Sequence, residues 1–441
     1  MSAPTILLAA PASGSGKTVL TMALLRAFRR RGLTVGSFKV GPDYIDPAFL
    51  TAAAGRPAPN LDSWAMRFET VAGLLEDSAA GVDLLVGEGV MGLFDGAPDG
   101  SGSTADLAAL FGIPVLLVVD ARGMGQSVSA LVDGFRRHRE DVDVVGVILN
   151  RTSGPRHADL LRRALTEQVS TPVIGAVDGN TELGLPSRHL GLVQAIEHPD
   201  LERVLETAAD IVESSLDLDR IVRLARMPSV ALLGPQARPL PPLGQRIAVA
   251  KDAAFAFAYA ATLSGWRRQG AEILPFSPLA DAPPDPSADA VFLPGGYPEL
   301  HASTLAAAGN FLAGLRAAAE RSAAIYGECG GYMVLGRRLV DREGVSHEMA
   351  GLLPVATSYA APKLRLGYRL LTTLEGSFLG TKGAQFRGHE FHVCAEIEND
   401  GPAFVQARSA MGEELGRQGC RKGSVAGSFH HLIDRAERQR S

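Results

Sequence analysis

The sequence predicts two α/β halves joined in one chain, the first of them a doubly wound parallel sheet. Near-continuous runs of Val, Ile and Leu alternate with amphipathic helical stretches over residues 5–177, as expected for parallel strands covered on both faces. A Pro-rich stretch without periodicity, 227–244, interrupts this pattern. A second alternation of strands and helices begins at residue 246, so a second α/β domain follows the interruption.

The length of the chain agrees with this division. At 441 residues it exceeds what a single core of ordinary size holds, since domains usually take about 100–200 residues. We predict a first domain over 1–226, a linker over 227–244 and a second domain over 245–441. No internal repeat and no low-complexity tract is visible in the sequence.

Each apolar run of the first half is short and bounded, which indicates strands rather than membrane or core helices. The predicted strands are 5–10, 33–40, 83–90, 113–119, 144–149 and 172–177. Between the first two, apolar residues from Val19 to Phe28 recur at helical spacing, and Gly32 suits the position just after a helix end. Strand, helix and strand in repetition predict right-handed crossovers and a doubly wound sheet.

The second half carries the same signals and then changes character. The predicted strands are 246–251, 271–276, 290–293 and 323–328, with helices over about 253–269 and 331–338. After about residue 362 the chain is rich in strand patterns and poor in helical ones. We therefore predict a parallel sheet followed by a β-rich region.

Charge and cysteine content narrow the class of protein. The formal net charge of −5 argues against a nucleic-acid partner. The three cysteines show no CxxC or Cys/His metal spacing, which is typical of a reducing compartment. No apolar run approaches the roughly 18 residues of a membrane helix, and no signal core is present. We expect a cytoplasmic protein without nucleic-acid or membrane partners; the oligomeric state is open, and a homodimer is one option.

The stretch "APASGSGKT", 10–18, lies between the first strand and the first helix. A Gly-rich loop in that setting can wrap phosphates with its backbone N–H groups beside a helix N-terminus. Lys17 would reach the phosphate oxygens and Thr18 would ligate Mg²⁺. The match is imperfect because Pro11 stands where the first glycine of the motif belongs, and a flexible surface turn is the alternative. The predicted nucleotide-binding residues here are Ser13, Gly14, Ser15, Gly16, Lys17 and Thr18.

Charged residues follow the second and third predicted strands, in "KVGPDYIDP" (39–47) and "GEGVMGLFDG" (87–96). Open α/β sheets bind ligands at the carboxyl ends of their strands, so these side chains should converge on the phosphates. Mg²⁺ takes only one or two carboxylates besides phosphate oxygens. The surplus predicts a second substrate that reacts at the γ-phosphate, although any one acid could be a helix cap or turn former. The predicted ligase-site residues are Lys39, Asp43, Tyr44, Asp46, Glu88 and Asp95.

A lone cysteine follows another predicted strand, in "GECGG", 327–331. Small residues around Cys329 match a nucleophile elbow between strand and helix, and the helix N-terminus is expected to lower the thiol pKa. "GSFHHLID", 427–434, offers His430 and His431 as the base. In "LPGGYPE", 293–299, the N–H of Gly296 could join that of Gly330 as an oxyanion hole. A buried structural cysteine is the alternative; otherwise the thiolate attacks an amide carbonyl, forms an acyl-enzyme and releases ammonia.

These two sites together resemble one family, the glutamine-dependent cobyrinic/hydrogenobyrinic acid a,c-diamide synthases of cobalamin biosynthesis. The resemblance spans nearly the whole chain. It rests on "APASGSGKT", "KVGPDYIDP", "EGVMGLFDG", "LPSRHLGLVQAIE" (185–197), "LPGGYPE", "GECGGYMVLG" (327–336) and "RGHEFHVC" (387–394). The amino half is similar to dethiobiotin synthetase-type P-loop ligases, and the carboxyl half to class I glutamine amidotransferases.

The resemblance implies a ligase that forms C–N bonds with L-glutamine as amido donor. ATP phosphorylates a peripheral carboxylate of the corrinoid, with release of ADP, and ammonia from glutamine displaces the phosphate; the a and c acetates are amidated one at a time. The family's nucleophile maps onto Cys329 and, through its Ser-aromatic-x-His ending, its base onto His431. Thr18, Asp46 and Glu88 match Mg²⁺ and phosphate positions, and Asn150 of "ILNR" matches an adenine contact.

The sequence departs from the related amidotransferases at one position and leaves some alternatives open. Ordinary triad enzymes carry Glu two residues after the histidine, but Ile433 stands there, and Asp434, the only nearby acid, has the wrong spacing. A Cys-His dyad is therefore the alternative to a triad. Cobyrinic and hydrogenobyrinic acid are not distinguished. A related synthase acting on a nickel sirohydrochlorin-type macrocycle also fits the motifs. A partitioning-type P-loop ATPase switch with an inert amidotransferase-like tail is the rival of a different class.

Overall fold

The computed structural model describes residues 3–169, 171–179, 187–188, 191–192, 194–229 and 240–436. The chain forms two compact units, one of 1–64 with 68–236 and one of 65–67 with 237–441. Part of the predicted linker, 230–239, and part of the motif 185–197 lie outside the described residues. The domain boundaries at 226 and 245 therefore stay predictions.

The first unit is built on a seven-stranded sheet with the order β3-β2-β4-β1-β5-β6-β7, in which every pairing is parallel. Its strands are β1 (Thr5–Ala9), β2 (Val35–Val40), β3 (Asn60–Leu61), β4 (Leu84–Glu88), β5 (Val115–Asp120), β6 (Val144–Thr152) and β7 (Val173–Asp178). A short antiparallel pair, β8 (Ser187–Arg188) and β9 (Gly191–Leu192), follows the sheet. The doubly wound parallel sheet predicted from the apolar runs is confirmed.

In the described part of this unit, six helices occupy the crossovers between strands of the sheet, and two more follow its last strand. They are α1 (Lys17–Arg30), α2 (Asp46–Ala54), α3 (Phe68–Ala79), α4 (Thr104–Phe111), α5 (Val128–Arg137), α6 (Pro155–Gln168), α7 (Leu201–Ser215) and α8 (Leu218–Leu224), with a 3₁₀ turn at Ala195–Glu197. All residues of β1 and β2 are buried, as expected for central strands covered on both faces. Gly32 follows the C-cap Arg31 with φ +86°, the left-handed conformation expected after a helix end.

The register of this sheet places the carboxyl ends of β1, β2 and β4, and the motifs that follow them, beside one another. Leu8 of β1 and Lys39 of β2 are both Cα partners of Glu88, the last residue of β4. The loop after β1, which leads into α1, therefore begins beside the carboxyl ends of β2 and β4. One strand of the sheet was not predicted: β3 has only two residues, too few to show a period-2 pattern.

The described residues of the second unit form three sheets. A six-stranded sheet has the order β11-β10-β12-β13-β23-β22, parallel except for β22. A five-stranded antiparallel sheet has the order β21-β20-β17-β18-β24, and a four-stranded one the order β15-β14-β16-β19. The strands before the β-rich region are β10 (Arg246–Ala250), β11 (Glu272–Phe276), β12 (Ala290–Leu293) and β13 (Ala324–Glu328).

The remaining strands confirm the predicted β-rich region. All the regular secondary structure between Arg338 and Arg435 consists of β-strands. They are β14 (Arg338–Val340), β15 (Ser346–Glu348), β16 (Val355–Ser358), β17 (Arg365–Thr373), β18 (Gln385–His392), β19 (Ala395–Asn399), β20 (Val405–Ser409), β21 (Glu414–Gln418), β22 (Cys420–Lys422), β23 (Val425–Ser428) and β24 (His430–Arg435). The helices are α9 (Ala260–Arg268), α10 (Ala302–Ala307), α11 (Gly309–Glu320) and α12 (Gly330–Leu335), with 3₁₀ turns at Pro278–Ala280 and Pro298–His301.

Two predicted helices have different bounds. The helix predicted over 253–269 begins only at residue 260, because the preceding segment makes a contact that a helix would forbid. The Phe257 N–H donates to the Gly295 carbonyl at 2.9 Å, whereas in a helix begun at 253 it would donate to a carbonyl one turn earlier. The helix predicted over 331–338 ends at Leu335, since Arg338 begins the strand β14.

Among the residues that the structure describes, none of the helices combines the length and the apolar character needed to cross a membrane.

Candidate active site

The loop after β1 has the conformation of a phosphate-binding loop. Gly14 and Gly16 have φ +77° and +93°, values that disfavour any other residue, and Gly16 is the N-cap of α1. The Ser15 hydroxyl donates to the Ala12 carbonyl at 2.8 Å. Lys17, the first residue of the helix, is buried and its Nζ donates to the Met91 carbonyl at 2.5 Å. Backbone N–H groups at this helix N-terminus are available to an anion.

Three of the predicted ligase-site residues, Lys39, Asp46 and Glu88, form a cluster with Thr18 beside this loop. The Thr18 hydroxyl is 2.6 Å from Glu88 Oε1 and 3.2 Å from Asp46 Oδ2. The Lys39 ammonium lies between the same two carboxylates, 2.6 Å from Asp46 Oδ2 and 2.8 Å from Glu88 Oε1. Lys39 and Glu88 are almost fully buried, whereas Asp46 is partly exposed. The structure thus joins residues 7 to 70 positions apart in the sequence into one polar cluster.

Burial and mutual charge set the protonation of this cluster. Burial raises the pKa of Glu88 to about 7, against the opposing effect of the Lys39 ammonium. Burial also disfavours the charged form of Lys39, but Asp46 and Glu88 outweigh it and hold the Lys39 pKa above its ordinary value. Burial, followed by repulsion from Lys39, lowers the pKa of Lys17 to about 8. A phosphate arriving here meets two clustered ammonium groups.

The other predicted acids have local partners in the same unit. Asp43 Oδ1 accepts hydrogen bonds from the Ile45 and Asp46 N–H groups, both at 2.8 Å, at the entrance to α2. Burial, followed by the nearby Asp46 carboxylate, raises the pKa of Asp43 to about 6. Asp95 Oδ2 accepts from the Gly92 N–H at 2.8 Å. Both acids therefore hold turns, and Tyr44 lies in the first of these turns, so their roles toward substrate stay predictions.

Asn150, the predicted adenine contact, braces the phosphate loop. Its amide donates to the Ser15 carbonyl at 2.8 Å and its oxygen accepts from the Arg151 N–H at 3.0 Å. Arg151 Nη1 donates to the Gly14 carbonyl at 2.6 Å and to Asp120 at 2.7 Å. Sequence reasoning missed this bracing pair; the signal was that Asn150 and Arg151 lie near the end of β6, opposite Asp120 at the end of the neighbouring β5. The adenine contact stays a prediction.

The donor set beside the phosphate loop fits Mg²⁺. The Thr18 hydroxyl lies within 3.2 Å of one carboxylate oxygen of Asp46 and one of Glu88. Hard oxygen donors of this kind are the ligands that Mg²⁺ prefers. Only two carboxylates meet at this point, so nucleotide phosphates and water would complete the coordination shell. These three residues are the ones that would hold the ion.

In the second unit, Cys329 occupies a strained turn between β13 and α12. Its φ of +48° and ψ of −106° are unusual for a residue with a side chain, and such strain is characteristic of a nucleophile elbow. Its N–H donates to the Ser428 carbonyl at 2.8 Å. A Cβ atom added to Gly330 would lie 3.1 Å from the Gly296 nitrogen. The two glycines proposed for the oxyanion hole therefore lie side by side next to the thiol.

The structure separates the two candidate bases. A Cβ atom added to Gly295 would lie 3.2 Å from the Cβ of Cys329 and 3.1 Å from Nε2 of His431. Both side chains therefore lie next to Gly295. His430 is paired in register with Glu390 of β18, whereas His431 is paired with His389. Successive strand residues point to opposite faces, so His430 lies on the other face. Its Nδ1 is 3.2 Å from the Ser428 hydroxyl.

One electrostatic expectation for the cysteine was wrong. Burial, followed by the nearby carboxylate of Glu299, raises the pKa of the Cys329 thiol above its usual range. The helix N-terminus was expected to lower it, but α12 has six residues and the thiol is buried. The free thiol is therefore protonated at neutral pH, and its proton must pass to a base when substrate binds.

Sequence reasoning also missed a carboxylate beside the base. Glu328 Oε2 lies 3.6 Å from His431 Nδ1, and Glu328 Oε1 accepts from the Leu432 N–H at 2.9 Å. Asp434, the acid noted from the sequence, is instead bound by Arg67, whose Nη2 lies 2.9 Å from its Oδ1. The signal for Glu328 was its place in "GECGG" directly before the nucleophile.

Comparison with known proteins covers both units. A family model described as the CobQ/CobB/MinD/ParA nucleotide binding domain matches residues 6–193, and one described as the CobB/CobQ-like glutamine amidotransferase domain matches 246–438. A hydrogenobyrinate a,c-diamide synthase of Brucella anthropi is 53% identical over 431 residues, which is 97% of this chain and 98% of that protein. The chain belongs to the hydrogenobyrinate a,c-diamide synthase family.

Two further synthases of the same name give similar figures. That of Rhizobium meliloti is 53% identical over 98% of this chain and 99% of its own length. That of Rhodobacter capsulatus is 51% identical over 97% and 98%. The resemblance drawn from the motifs is thus confirmed, as is the combination of a P-loop nucleotide-binding domain with a glutamine amidotransferase domain. The similarity extends through both halves, which weighs against an ATPase switch with an inert tail.

Proposed function

We propose that this chain is an ATP- and glutamine-dependent ligase that converts the a and c acetate carboxylates of hydrogenobyrinate into amides. The observation that carries the proposal is its similarity to synthases named for that reaction over nearly the full length of both proteins. The arrangement of Cys329 beside His431 and of Lys39, Asp46 and Glu88 beside the phosphate loop supplies chemistry that such a reaction needs.

The first half-reaction belongs to the cysteine. His431 Nε2 takes the proton of the Cys329 thiol, and the thiolate attacks the side-chain carbonyl carbon of glutamine. The N–H groups of Gly330 and Gly296 would stabilise the oxyanion. His431 then returns the proton to the nitrogen as the C–N bond breaks, ammonia leaves, and water hydrolyses the thioester to glutamate and free enzyme.

The second half-reaction belongs to the P-loop. The phosphate loop and Lys17 would hold the phosphates of ATP while an acetate carboxylate of the substrate attacks the γ-phosphorus and displaces ADP. Ammonia attacks the acyl carbon of the resulting acyl phosphate and expels inorganic phosphate, leaving the amide. Mg²⁺, held by Thr18, Asp46 and Glu88, would neutralise phosphate charge when bound. Lys39 keeps Asp46 and Glu88 in place through its two ion pairs.

The test uses the purified full-length protein with ATP, Mg²⁺ and glutamine, and with hydrogenobyrinate or cobyrinate in parallel. Mass spectrometry should show two successive additions of the mass change for acid to amide, with hydrogenobyrinate as the better substrate. ATP hydrolysis without amidation of either corrinoid would contradict the synthase assignment. Preference for cobyrinate would retain the reaction and overturn the choice of substrate.

We further propose a cytoplasmic location, because both cosubstrates are metabolites of that compartment and the three cysteines are free thiols in the structure. A homodimer stays a prediction, and light scattering of the eluting protein would decide it.

A further inference from the structure

The neighbourhood of His431 contains a carboxylate that the described mechanism does not use. Glu328 is the last residue of β13, and it is 4% exposed. Through the parallel pairing of β13 with β23 it lies opposite Ser428, three residues before His431. It therefore immediately precedes the nucleophile in sequence and lies beside the base in space.

The two oxygens of this carboxylate have separate partners on β24. Oε1 accepts the Leu432 N–H at 2.9 Å, which fixes the carboxylate against the residue after His431. Oε2 lies 3.6 Å from His431 Nδ1. That distance is an ion-pair distance rather than a hydrogen bond, and such contacts often tighten when the reacting complex forms.

The imidazole is thus placed between two functional groups. Nδ1 faces the Glu328 carboxylate, and Nε2 lies on the side of Gly295 and Cys329. A carboxylate at Nδ1 keeps the proton on that nitrogen, leaves Nε2 free to accept the thiol proton, and stabilises the imidazolium that forms. The titratable groups around this pair are Tyr326, Cys329, His389 and His430.

We propose that Glu328 is the positioning residue of the glutaminase site and completes a Cys329–His431–Glu328 triad. This inference rests on the glutaminase role proposed above for Cys329 and His431. Ile433, the residue two positions after His431, has no carboxylate, and Asp434 is engaged by Arg67. The competing explanation is structural: Glu328 could serve only to accept the Leu432 N–H.

Replacement of Glu328 by Gln separates the two explanations, because the amide oxygen can still accept the Leu432 N–H while the charge is lost. Glu328→Gln should lower kcat for glutamine hydrolysis by about 10²-fold, the lower end of what positioned acid–base groups contribute. KM for glutamine should change by less than about two-fold, since the loss falls on the transition state. Amidation with ammonium chloride should be unaffected.

The pH profile gives a readout that a structural role would not move. A carboxylate beside an imidazole stabilises the protonated ring in general, and a general base must be neutral to accept a proton. Loss of the Glu328 charge in Glu328→Gln should therefore shift the acidic limb of the kcat/KM profile toward lower pH. Glu390→Gln is the matched control, because Glu390 is a buried carboxylate that faces His430 on the opposite face of the same strand pair. It should leave this limb in place.

A second pair of variants covers the case in which Glu328→Gln does not fold. Glu328→Asp and Glu328→Asn have nearly the same shape and differ in charge, so Glu328→Asp should be at least about ten-fold more active with glutamine. Equal activities within either pair, Glu and Gln or Asp and Asn, would overturn the proposal. Absence of glutaminase activity in the unmodified protein would instead overturn the proposed function on which it rests.

Discussion

At the scale of single residues, the orientation of two adjacent histidines determines which one can act as base. His430 and His431 begin β24 and are paired with Glu390 and His389 of β18, on opposite faces. Burial lowers the pKa of His430 to about 4, so this imidazole is neutral at physiological pH, yet its strand face is the wrong one for the thiol. The strand face therefore favours His431, whose role as base stays a prediction.

We expect His431→Ala to lose glutamine-dependent amidation by about 10²–10⁴-fold, because the thiol then has no base to accept its proton. His430→Ala should be milder, since it removes a side chain from the other face. Both variants are to be assayed with glutamine and with ammonium chloride. The reverse order of losses with glutamine would assign the base to His430.

The acids of the P-loop unit can be divided by whether their replacement weakens ATP binding. Thr18, Asp46 and Glu88 form one contact cluster, so Asp46→Asn and Glu88→Gln should weaken ATP binding and amidation together. Asp43→Asn and Asp95→Asn can still accept their turn hydrogen bonds through the amide oxygen. We expect them to lower kcat while KM for ATP stays near normal, as for contacts to the corrinoid or the attacking ammonia.

ATP titrations of the four variants with ammonium as nitrogen donor measure this division. All four should still hydrolyse glutamine, which controls for folding of the other unit. Loss of ATP affinity in Asp43→Asn and Asp95→Asn equal to that in Glu88→Gln would place all four acids in the metal and phosphate site.

At the scale of elements, close approach of backbones shapes the elbow after β13. A Cβ atom on Gly331, the second residue of α12, would overlap the Leu293 carbonyl oxygen and lie 2.7 Å from the Leu293 Cβ. Glycine at this position lets the short helix pack directly on β12, and the helix in turn sets the position of Cys329. The glycines of "GECGG" are therefore required by close packing rather than by left-handed backbone angles.

Gly331→Ala should destabilise the second unit by about 1–3 kcal/mol, because the added methyl group forces backbone shifts in a packed core. Gly309→Ala is the control in the same unit: Gly309 begins α11 and an added Cβ meets nothing within 4 Å. It should be neutral or stabilise by up to about 1 kcal/mol. Calorimetry of both variants is the measurement, and equal shifts in Tm would contradict the packing argument.

At the scale of the whole molecule, the two half-reactions are assigned to separate units, each with its own sheet and its own reactive groups. Lys17, Lys39 and Glu88 belong to the first unit, and Cys329 and His431 to the second. Loss of one site should therefore spare the chemistry of the other.

Cys329→Ala should abolish amidation with glutamine but leave amidation driven by ammonium chloride near its normal rate. Cys394→Ser and Cys420→Ser are matched controls, because both cysteines are also buried free thiols. They should affect neither route strongly. Equal loss with both nitrogen donors in Cys329→Ala would contradict two separate sites.

Local patterns in the sequence were sufficient for most of the fold and for the type of chemistry. Continuous apolar runs predicted β1, β2 and β4–β7 because a strand buried on both faces needs apolar residues throughout. The phosphate loop and the elbow were visible because their glycines and reactive residues are adjacent in the chain. The two-residue β3 was missed because it is too short to carry a pattern.

Contacts between distant residues decided the rest. The start of α9 depends on the hydrogen bond from Phe257 to Gly295. The preference for His431 over His430 depends on the register of β24 with β18. The position of Glu328 depends on the pairing of β13 with β23. The sequence by itself determined two α/β units, a phosphate loop and a reactive thiol. Only the tertiary structure decided which histidine lies beside that thiol and which carboxylate lies beside that histidine, because His431 is far from Glu328 and Cys329 in the chain and strand pairing sets the face of each side chain.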